Sequence, residues 1–383
     1  MITRCNSESL SVYVHFPFCK RKCTYCDFAS YEGMEHRIPT YMEALKKEII
    51  EKSAEFEKRK IYTVYFGGGT PTYPDSGWIQ KIMNLLKESF DCSFCEESTL
   101  EANPGTVTPE SLKKYKEAGF NRLSIGLQSA NDRELEKAGR IHRYRDFLES
   151  YQYARNAGFT NINVDLIFGF PWQSYQDWKN SVDTLVSLNP EHISCYDLIL
   201  EEGTPLFNQI QKGEYVMISD SLNREMYYYV CDTLKKNGYR QYEISNFAKP
   251  GFESKHNTVY WKTLDYIGFG AGAYSFVNGI RYGNTDDIEE YIGRIKKDGN
   301  AVIQREALSF EDRMNEYAML GFRMTDGIDM EEFFSKFGVR FSEYYNEKIL
   351  MLTKEGFIEI QDKKVRLSRK GLDFANLVFM EFI

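Results

Sequence analysis

Short apolar runs alternate with longer amphipathic runs through the first 240 residues or so. The apolar runs predict strands at 11–16, 61–66, 99–103, 122–128, 161–168 and 192–200. The amphipathic runs predict helices at 39–57, 76–89, 131–138, 143–157, 174–187 and 219–237. Thr108-Pro109-Glu110 predicts one more helix start, because Thr is a favoured N-cap and Pro a favoured first helical residue. Strands that alternate with helices indicate βαβ units and a parallel sheet.

The number of these units leaves two architectures open. Six units are too few for a closed barrel of eight, and an open doubly wound sheet would give the same local pattern. In both architectures ligands bind at the carboxyl ends of the strands. We therefore expect functional side chains at or just after the ends of the apolar runs.

The pattern changes after about residue 300. Helical patterns at 310–323, 329–336 and 343–355 precede a hairpin with strands at 357–360 and 365–367, and 368–378 predicts a last helix. This order is typical of a winged-helix-like module, which can bind DNA or act as a lid or docking domain. The formal net charge of −8 disfavours contact with nucleic-acid phosphates, so the sequence favours the docking role.

Composition narrows the class of protein. A hydrophobic content of 42% and a charged content of 27% are ordinary for a soluble globular chain. The N-terminal Met-Ile-Thr-Arg-Cys-Asn lacks the apolar run of a signal peptide, and no window approaches the roughly 20 apolar residues of a membrane span. Clustered thiols fit a reducing compartment. We expect a cytoplasmic protein.

The most informative motif is a C-x3-C-x2-C loop, Cys19, Cys23 and Cys26, directly after the first predicted strand. Three thiolates on one loop can bind three corners of a [4Fe–4S] cluster and leave the fourth iron open. A structural zinc site favours paired C-x2-C modules with four ligands, and a redox C-x-x-C at Cys23 and Cys26 leaves Cys19 unexplained. Cys92 and Cys95 share the two-residue gap but lie in a separate acidic segment. The spacing therefore favours the cluster over zinc or a redox pair.

Residues 13–28 resemble the cluster loop of the radical S-adenosylmethionine (radical SAM) superfamily. More closely, they resemble oxygen-independent coproporphyrinogen III oxidases and their relatives, the HemW-type haem chaperones. The resemblance implies an α/β fold: a partial (β/α)6 TIM-like radical SAM barrel over 1–300 and a small C-terminal winged-helix-like domain over 301–383. It also implies that SAM chelates the open iron, and that an electron from the reduced cluster can cleave its C–S bond.

Candidate ligand residues lie at the ends of the predicted strands. Gly67-Gly68-Gly69-Thr70-Pro71 lets a ligand approach the backbone, since glycine lacks a Cβ, although such a turn alone is a weak signal. Polar side chains within apolar strands need partners, which a charged sulfonium ligand can supply. The resemblance implies SAM contacts at Tyr13, Tyr25, Gly68, Gly69, Thr70, Glu101, Gln128, Arg140, Asp165, Ile199 and Tyr274.

Two features separate the relatives. The oxidases carry an extra cysteine two residues past the triad, where this chain has Phe28, and a longer N-terminal extension before the first strand. The second feature is a segment similar to a motif of the chaperone branch, whose histidine is linked to haem binding. The segment is Lys-His256-Asn257-Thr-Val-Tyr260-Trp261. Imidazole is a good axial iron ligand, although a single histidine beside two aromatic residues is more often a structural residue.

The sequence therefore predicts a haem chaperone that binds a [4Fe–4S] cluster, SAM and haem and delivers haem to respiratory apoproteins. The alternative is an oxygen-independent coproporphyrinogen III dehydrogenase, and a SAM enzyme for another substrate stays open. The resemblance also implies a reductant such as flavodoxin or ferredoxin. It leaves SAM turnover, peripheral membrane association and oligomeric state open.

Overall fold

The computed structural model describes residues 9–56 and 59–383. The expectation of no signal peptide depends on the N-terminal hexapeptide, which lies outside the described residues. Residue 57, the predicted end of a helix, lies outside them as well. In the described part of the chain, no helix combines the length and the apolar character that a membrane crossing requires.

Six parallel strands form the centre of the larger sheet. They are β1 (Ser9–Phe16), β2 (Lys60–Gly68), β3 (Glu97–Ala102), β4 (Arg122–Gln128), β5 (Ile162–Phe168) and β6 (His192–Asp197). They lie side by side in chain order, each parallel to the next. A doubly wound sheet would reverse its strand order partway, so the sequential order matches a partial barrel. The predicted fold class is confirmed.

Helices connect these strands, and two more follow β6. They are α1 (Ile38–Ser53), α2 (Ser76–Ser89), α3 (Pro109–Ala118), α4 (Asp132–Lys137), α5 (Tyr144–Asn156), α6 (Tyr175–Leu188), α7 (Pro205–Gln211) and α8 (Asp220–Lys236), with 3-10 turns at Glu35–Arg37 and Ala54–Phe56. The start of α3 shows why the sequence folds this way. Thr108 and Ser111 form a capping box around Pro109, so side chains satisfy the free amides of the first turn.

Further strands, which the sequence pattern did not predict, extend both edges of the sheet. They are β7 (Arg240–Gln241), β8 (Asn246–Ala248), β9 (Tyr266–Phe269), β10 (Tyr274–Val277), β11 (Ile280–Asn284) and β12 (Val302–Ala307), with α9 (Lys255–Trp261) and α10 (Ile288–Asp298) among them. The sheet order is β12-β11-β10-β9-β1-β2-β3-β4-β5-β6-β8-β7. Strands of two to six residues carry too little alternation to be read from sequence, and those that join the central strands, β8 to β6 and β9 to β1, pair with segments distant in the chain.

The C-terminal unit has its own apolar core. It contains α11 (Phe310–Gly321), β13 (Ile328–Asp329), α12 (Met330–Phe337), α13 (Phe341–Tyr344), α14 (Asn346–Lys354), β14 (Ile358–Gln361), β15 (Lys364–Leu367), α15 (Arg369–Asp373) and α16 (Ala375–Met380). The single helix predicted over 343–355 was wrong: the chain leaves helical geometry at Tyr345. The predicted domain boundary after residue 300 stays a prediction, and β12 pairs with β11 of the large sheet.

Candidate functional site at the carboxyl ends of the strands

A cavity of about 420 Å³ opens at the carboxyl ends of the central strands. Side chains from β2 to β6 line it together, among them Tyr65, Glu101, Ser124, Asp165 and Tyr196. Five consecutive strands can face one cavity only if the sheet is curved, as in a barrel. Most of the predicted site residues line this cavity: Cys19, Cys23, Tyr25, Cys26, Gly68, Gly69, Thr70, Glu101, Gln128, Arg140, Asp165 and Ile199.

Backbone hydrogen bonds hold the cysteine loop at its first cysteine and between its second and third cysteines. The Cys19 amide donates to the Tyr31 carbonyl at 2.9 Å, and the Thr24 amide donates to the Ala138 carbonyl at 3.1 Å. His15 on β1 places its Nε2 2.8 Å from the Ala29 carbonyl. These bonds fix the course of a loop that has little regular secondary structure, so its thiols are held toward the cavity.

The donor set fits an iron–sulfur cluster. Among the described residues that line the cavity, Cys19, Cys23 and Cys26 are the only cysteines, and no histidine joins them. In the same part of the chain, no three His, Cys, Asp or Glu side chains have the spacing to hold a single metal ion. A four-iron cluster instead takes one thiolate at each of its separate corners. Burial raises the pKa of Cys26 to about 11, so a thiolate there needs a positive partner such as iron.

Arg140 ties the cysteine loop to the strand ends. Its Nη1 donates to Cys23 Sγ at 3.4 Å, and its Nη2 donates to Asn103 Oδ1 at 2.7 Å and to the Gly126 carbonyl at 2.8 Å. Asn103 Nδ2 in turn donates to Thr70 Oγ1 at 2.7 Å. A guanidinium beside a cluster ligand stabilises its negative charge, so Arg140 can support the thiolate as well as contact a ligand.

The glycine turn after β2 is packed too closely for any other residue. Gly68 has φ +107°, and a Cβ there would lie 2.6 Å from the His15 ring. A Cβ on Gly69 would lie 2.8 Å from the Phe18 carbonyl oxygen and 3.0 Å from Cys19 Sγ. The turn therefore brings backbone groups directly beside the cysteine loop, as the sequence predicted.

Two partly buried carboxylates face the cavity from β3 and β5. Glu101 accepts from the Tyr65 hydroxyl at 2.7 Å and from the Gly68 amide at 3.2 Å. Asp165 accepts from Asn163 Nδ2 at 2.7 Å and from Ser124 at 3.2 Å. Burial raises the pKa of Glu101 to about 7 and also raises the pKa of Asp165. These carboxylates are poised for a cationic ligand, which would lower both pKa values.

Gln128 offers a further polar group without a protein partner. It ends β4 with φ +70°, which a non-glycine residue rarely adopts, and its Oε1 is buried without a hydrogen bond. An unpaired buried oxygen and a strained backbone indicate a ligand-binding position. The site thus combines thiols, carboxylates and an open amide around one cavity, which fits a cluster together with a SAM-like cation.

The mouth of the cavity carries exposed apolar side chains. Phe28 is 63% exposed and Ile199 is 70% exposed, and both line the opening. Arg21 and Lys22 line the same opening and bring positive charge. An apolar rim with adjacent cations suits a flat ligand that carries carboxylates.

Three predicted residues lie outside this cavity lining. Tyr13 points its hydroxyl at His15 Nδ1, 3.0 Å away, and Tyr274 on β10 accepts from Gln304 Nε2 at 2.5 Å. His256 is 1% exposed on α9, although its neighbour Asn257 lines the cavity. The roles predicted for these three residues stay predictions.

Both ring nitrogens of His256 are occupied in this structure. Nδ1 lies 2.8 Å from Thr63 Oγ1, and Nε2 lies 2.8 Å from the Tyr260 hydroxyl. Burial lowers the pKa of His256 to about 3, so the ring is neutral. Because the Thr63 hydroxyl donates to Ser11, it accepts from Nδ1–H, and the Nε2 lone pair accepts from Tyr260. Iron coordination at Nε2 would require this hydrogen bond to break.

Sequence reasoning missed several residues of the cavity, chiefly Tyr65, Asn103, Arg122 and Asn257. A signal existed for two of them. Thr63 and Tyr65 alternate on one face of β2, and Arg122 and Ser124 alternate on one face of β4, so period-two polar positions marked the inward faces. Asn103 and Asn257 become recognisable only when the strand ends and α9 meet.

Comparisons with known proteins identify the domains and the fold of this chain. The Radical SAM superfamily model matches residues 13–185, and the HemN C-terminal domain model matches residues 308–374. The structure of coproporphyrinogen III oxidase (HemN) from Escherichia coli superposes with a TM-score of 0.86. It covers 99% of this chain and 91% of that one at 24% identity, which establishes the fold alone.

Curated relatives match over nearly the full length. The Heme chaperone HemW of Bacillus subtilis is 38% identical across 97% of this chain and 99% of that protein. The Heme chaperone HemW of Lactococcus lactis is 36% identical across 97% of each chain. A radical S-adenosyl methionine domain-containing protein 1 of Danio rerio is 33% identical across 94% of this chain. The chain therefore belongs to the HemW family of the radical SAM superfamily, as its cysteine loop predicted.

Proposed function

We propose that this protein is a haem chaperone that holds a [4Fe–4S] cluster, SAM and haem and passes haem to respiratory apoproteins. The observation that carries the proposal is the 38% identity over 97% of the chain to a protein named heme chaperone. An electron donor such as flavodoxin or ferredoxin and peripheral membrane contact belong to the same proposal. The alternative function, a coproporphyrinogen III dehydrogenase, is tested by the product assay described below.

The radical SAM family implies a [4Fe–4S] cluster and SAM. Cys19, Cys23 and Cys26 would bind three irons, and Arg140 would stabilise the charge of the Cys23 thiolate. When bound, the reduced cluster supplies the electron that can cleave the C–S bond of SAM. The chain itself positions the thiols and closes the space behind them with the glycine turn.

Residues that line the cavity beside the cysteine loop would orient SAM. Backbone groups of Gly68 and Gly69 and the Glu101 carboxylate face the region where the SAM ammonium would lie. Gln128 Oε1 and the Asp165 carboxylate can accept hydrogen bonds from ribose or adenine groups. The buried carboxylates favour a cationic sulfonium over a neutral analogue.

Haem would lie at the mouth of the cavity. Phe28 and Ile199 offer apolar contact to the porphyrin plane, while Arg21 and Lys22 can pair with the haem propionates. Phe28 occupies the position where the oxidases carry an extra cysteine. This difference supports haem binding over porphyrinogen oxidation.

Haem titration followed by absorbance tests the docking position. We expect Phe28→Asp to weaken haem affinity by about tenfold or more, because burying a Phe side chain is worth about 1.5–3 kcal/mol and the new carboxylate repels the propionates. Phe94→Asp is the matched control, since Phe94 is 49% exposed and lies outside the cavity lining. Equal affinities of the Phe28 and Phe94 variants would place haem elsewhere.

A separate assay tests chaperone against oxidase. Reduced, cluster-loaded protein incubated with coproporphyrinogen III and SAM should yield no vinyl product. Detectable decarboxylation would support the dehydrogenase alternative instead. Transfer of bound haem to a respiratory apoprotein, followed by the shift of its absorbance, is the positive result that the chaperone proposal requires.

A further inference from the structure

His256 lies behind the cavity wall, in contact with a side chain that lines it. Its ring stacks on the Tyr65 ring with centroids 5.0 Å apart and planes 27° apart. Tyr65 lines the cavity, and its hydroxyl donates to Glu101 Oε1 at 2.7 Å. A continuous chain of contacts therefore runs from α9 through His256 and Tyr65 to the Glu101 carboxylate.

The hydrogen bonds of His256 fix the plane of its ring. Thr63 on β2 is hydrogen-bonded to Nδ1, and Tyr260, one turn further along α9, is hydrogen-bonded to Nε2. The ring therefore cannot rotate without losing one of these bonds. The His256 backbone amide also donates to Glu97 Oε1 on β3 at 3.1 Å. Bonds from three elements give the stacked imidazole a single orientation.

The Tyr65 hydroxyl in turn sets the orientation of Glu101. One Glu101 oxygen accepts from that hydroxyl, and the other accepts from the Gly68 amide in the glycine turn. Two donors three residues apart in the chain thus hold both oxygens of the carboxylate. A carboxylate held in advance loses less entropy when it pairs with a cation.

We propose that His256 is a positioning residue for the ammonium end of SAM, acting through Tyr65 on Glu101. The proposal rests on the proposed role of Glu101 in binding SAM and assigns His256 to that site. It explains why a histidine with both nitrogens occupied lies directly beneath a cavity residue. It also gives Tyr260 of the same motif a role, because Tyr260 holds the imidazole in place.

The experiment measures SAM affinity of the anaerobically reconstituted full chain in a double-mutant cycle of His256→Ala and Tyr65→Phe. We expect each single variant to weaken SAM binding by about tenfold, since each loses the oriented hydrogen bond to a charged group. The double variant should be no weaker than either single variant, because both act through the same hydroxyl. Tyr239→Phe is the matched control: its buried hydroxyl donates to the Pro190 carbonyl, away from the cavity.

The pH profile of SAM affinity supplies a readout that a general loss of packing would not move. The Tyr65 hydroxyl lowers the pKa of Glu101 by donating to its charged form, against the larger effect of burial. In both single variants, the fall in SAM affinity on acidification should therefore begin at a higher pH. The ionisable groups around Glu101 are Tyr13, Tyr65, Arg122, Asp165, Tyr196 and Tyr260.

Tyr65→Phe changes a single hydroxyl, so it keeps the test decisive even where His256→Ala fails to fold. Wild-type SAM affinity in Tyr65→Phe, or additive losses in the double variant, would overturn the proposal. Weakened haem binding with unchanged SAM affinity in His256→Ala would also overturn it and assign His256 to haem. If Glu101→Gln leaves SAM affinity intact, the proposed SAM site itself fails, which is a distinguishable result.

Discussion

Cys23→Ala is expected to reduce the iron content of anaerobically reconstituted protein from about four irons per chain to near background. Among the described residues, three thiols line the cavity, so the loss of one leaves two anchoring corners. Cys23 also accepts from Arg140 at 3.4 Å, and its removal leaves that guanidinium facing an empty position. Iron analysis and the cluster absorbance measure the result.

Cys92→Ala is the matched control for this experiment. Cys92 belongs to the other C-x2-C pair, is partly buried, and lies outside the cavity lining. Its variant should retain the full iron content. A complete cluster in Cys23→Ala, or an equal loss of iron in Cys92→Ala, would contradict the assignment of the cysteine triad.

Glu101→Gln is expected to weaken SAM binding by more than about thirtyfold, because it removes the charged partner of a desolvated ion pair. The substitution keeps the shape of the side chain and leaves Tyr65 a possible acceptor. Equilibrium binding of SAM to the reconstituted protein gives the measurement. Glu134→Gln is the matched control, since Glu134 is a buried glutamate bonded to Ser129 and Gln173 outside the cavity lining.

The same residue should give SAM binding a pH dependence. Burial raises the pKa of Glu101 to about 7, so the carboxylate is charged above that pH and neutral below it. SAM affinity of the wild type should therefore fall as the pH drops from 8 to about 6. The Glu101→Gln profile should be flat over this range, and a parallel decline in both proteins would assign the titration to another group.

Local sequence features predicted much of the barrel. The helix over 76–89 and the strand over 122–128 agree with the structure at both ends, because strong periodicity defines each element. The edge strands β7 to β12 escaped prediction, since they are two to six residues long and β8 and β9 join the central strands through segments far away in the chain. The helix predicted over 343–355 failed because periodicity does not reveal the break at Tyr345.

The site residues likewise divide into those that the sequence predicted and those that only the structure revealed. Cys19, Cys23 and Cys26 share one loop, so their spacing could be read directly from the chain. Glu101, Arg140 and Asp165 were predicted because the residues around them resemble SAM-contacting positions of the radical SAM family, and the structure brings all three to one cavity. Their partner Asn103 was missed, since it is an ordinary polar residue until its neighbours are known, and Tyr65 was missed although its alternation with Thr63 marked the inward face of β2.

The sequence by itself determined the order of the six central strands and the cysteine triad, because these depend on local spacing and periodicity, and the family through the resemblance of residues 13–28. Only the tertiary structure decided which groups face one another across the cavity and which are withdrawn from it. His256 is the clearest case: its predicted haem role stays a prediction, and the fold alone shows that its ring lies between Thr63, Tyr65 and Tyr260. Long-range packing sets such partners, and neighbouring residues in the chain carry no record of them.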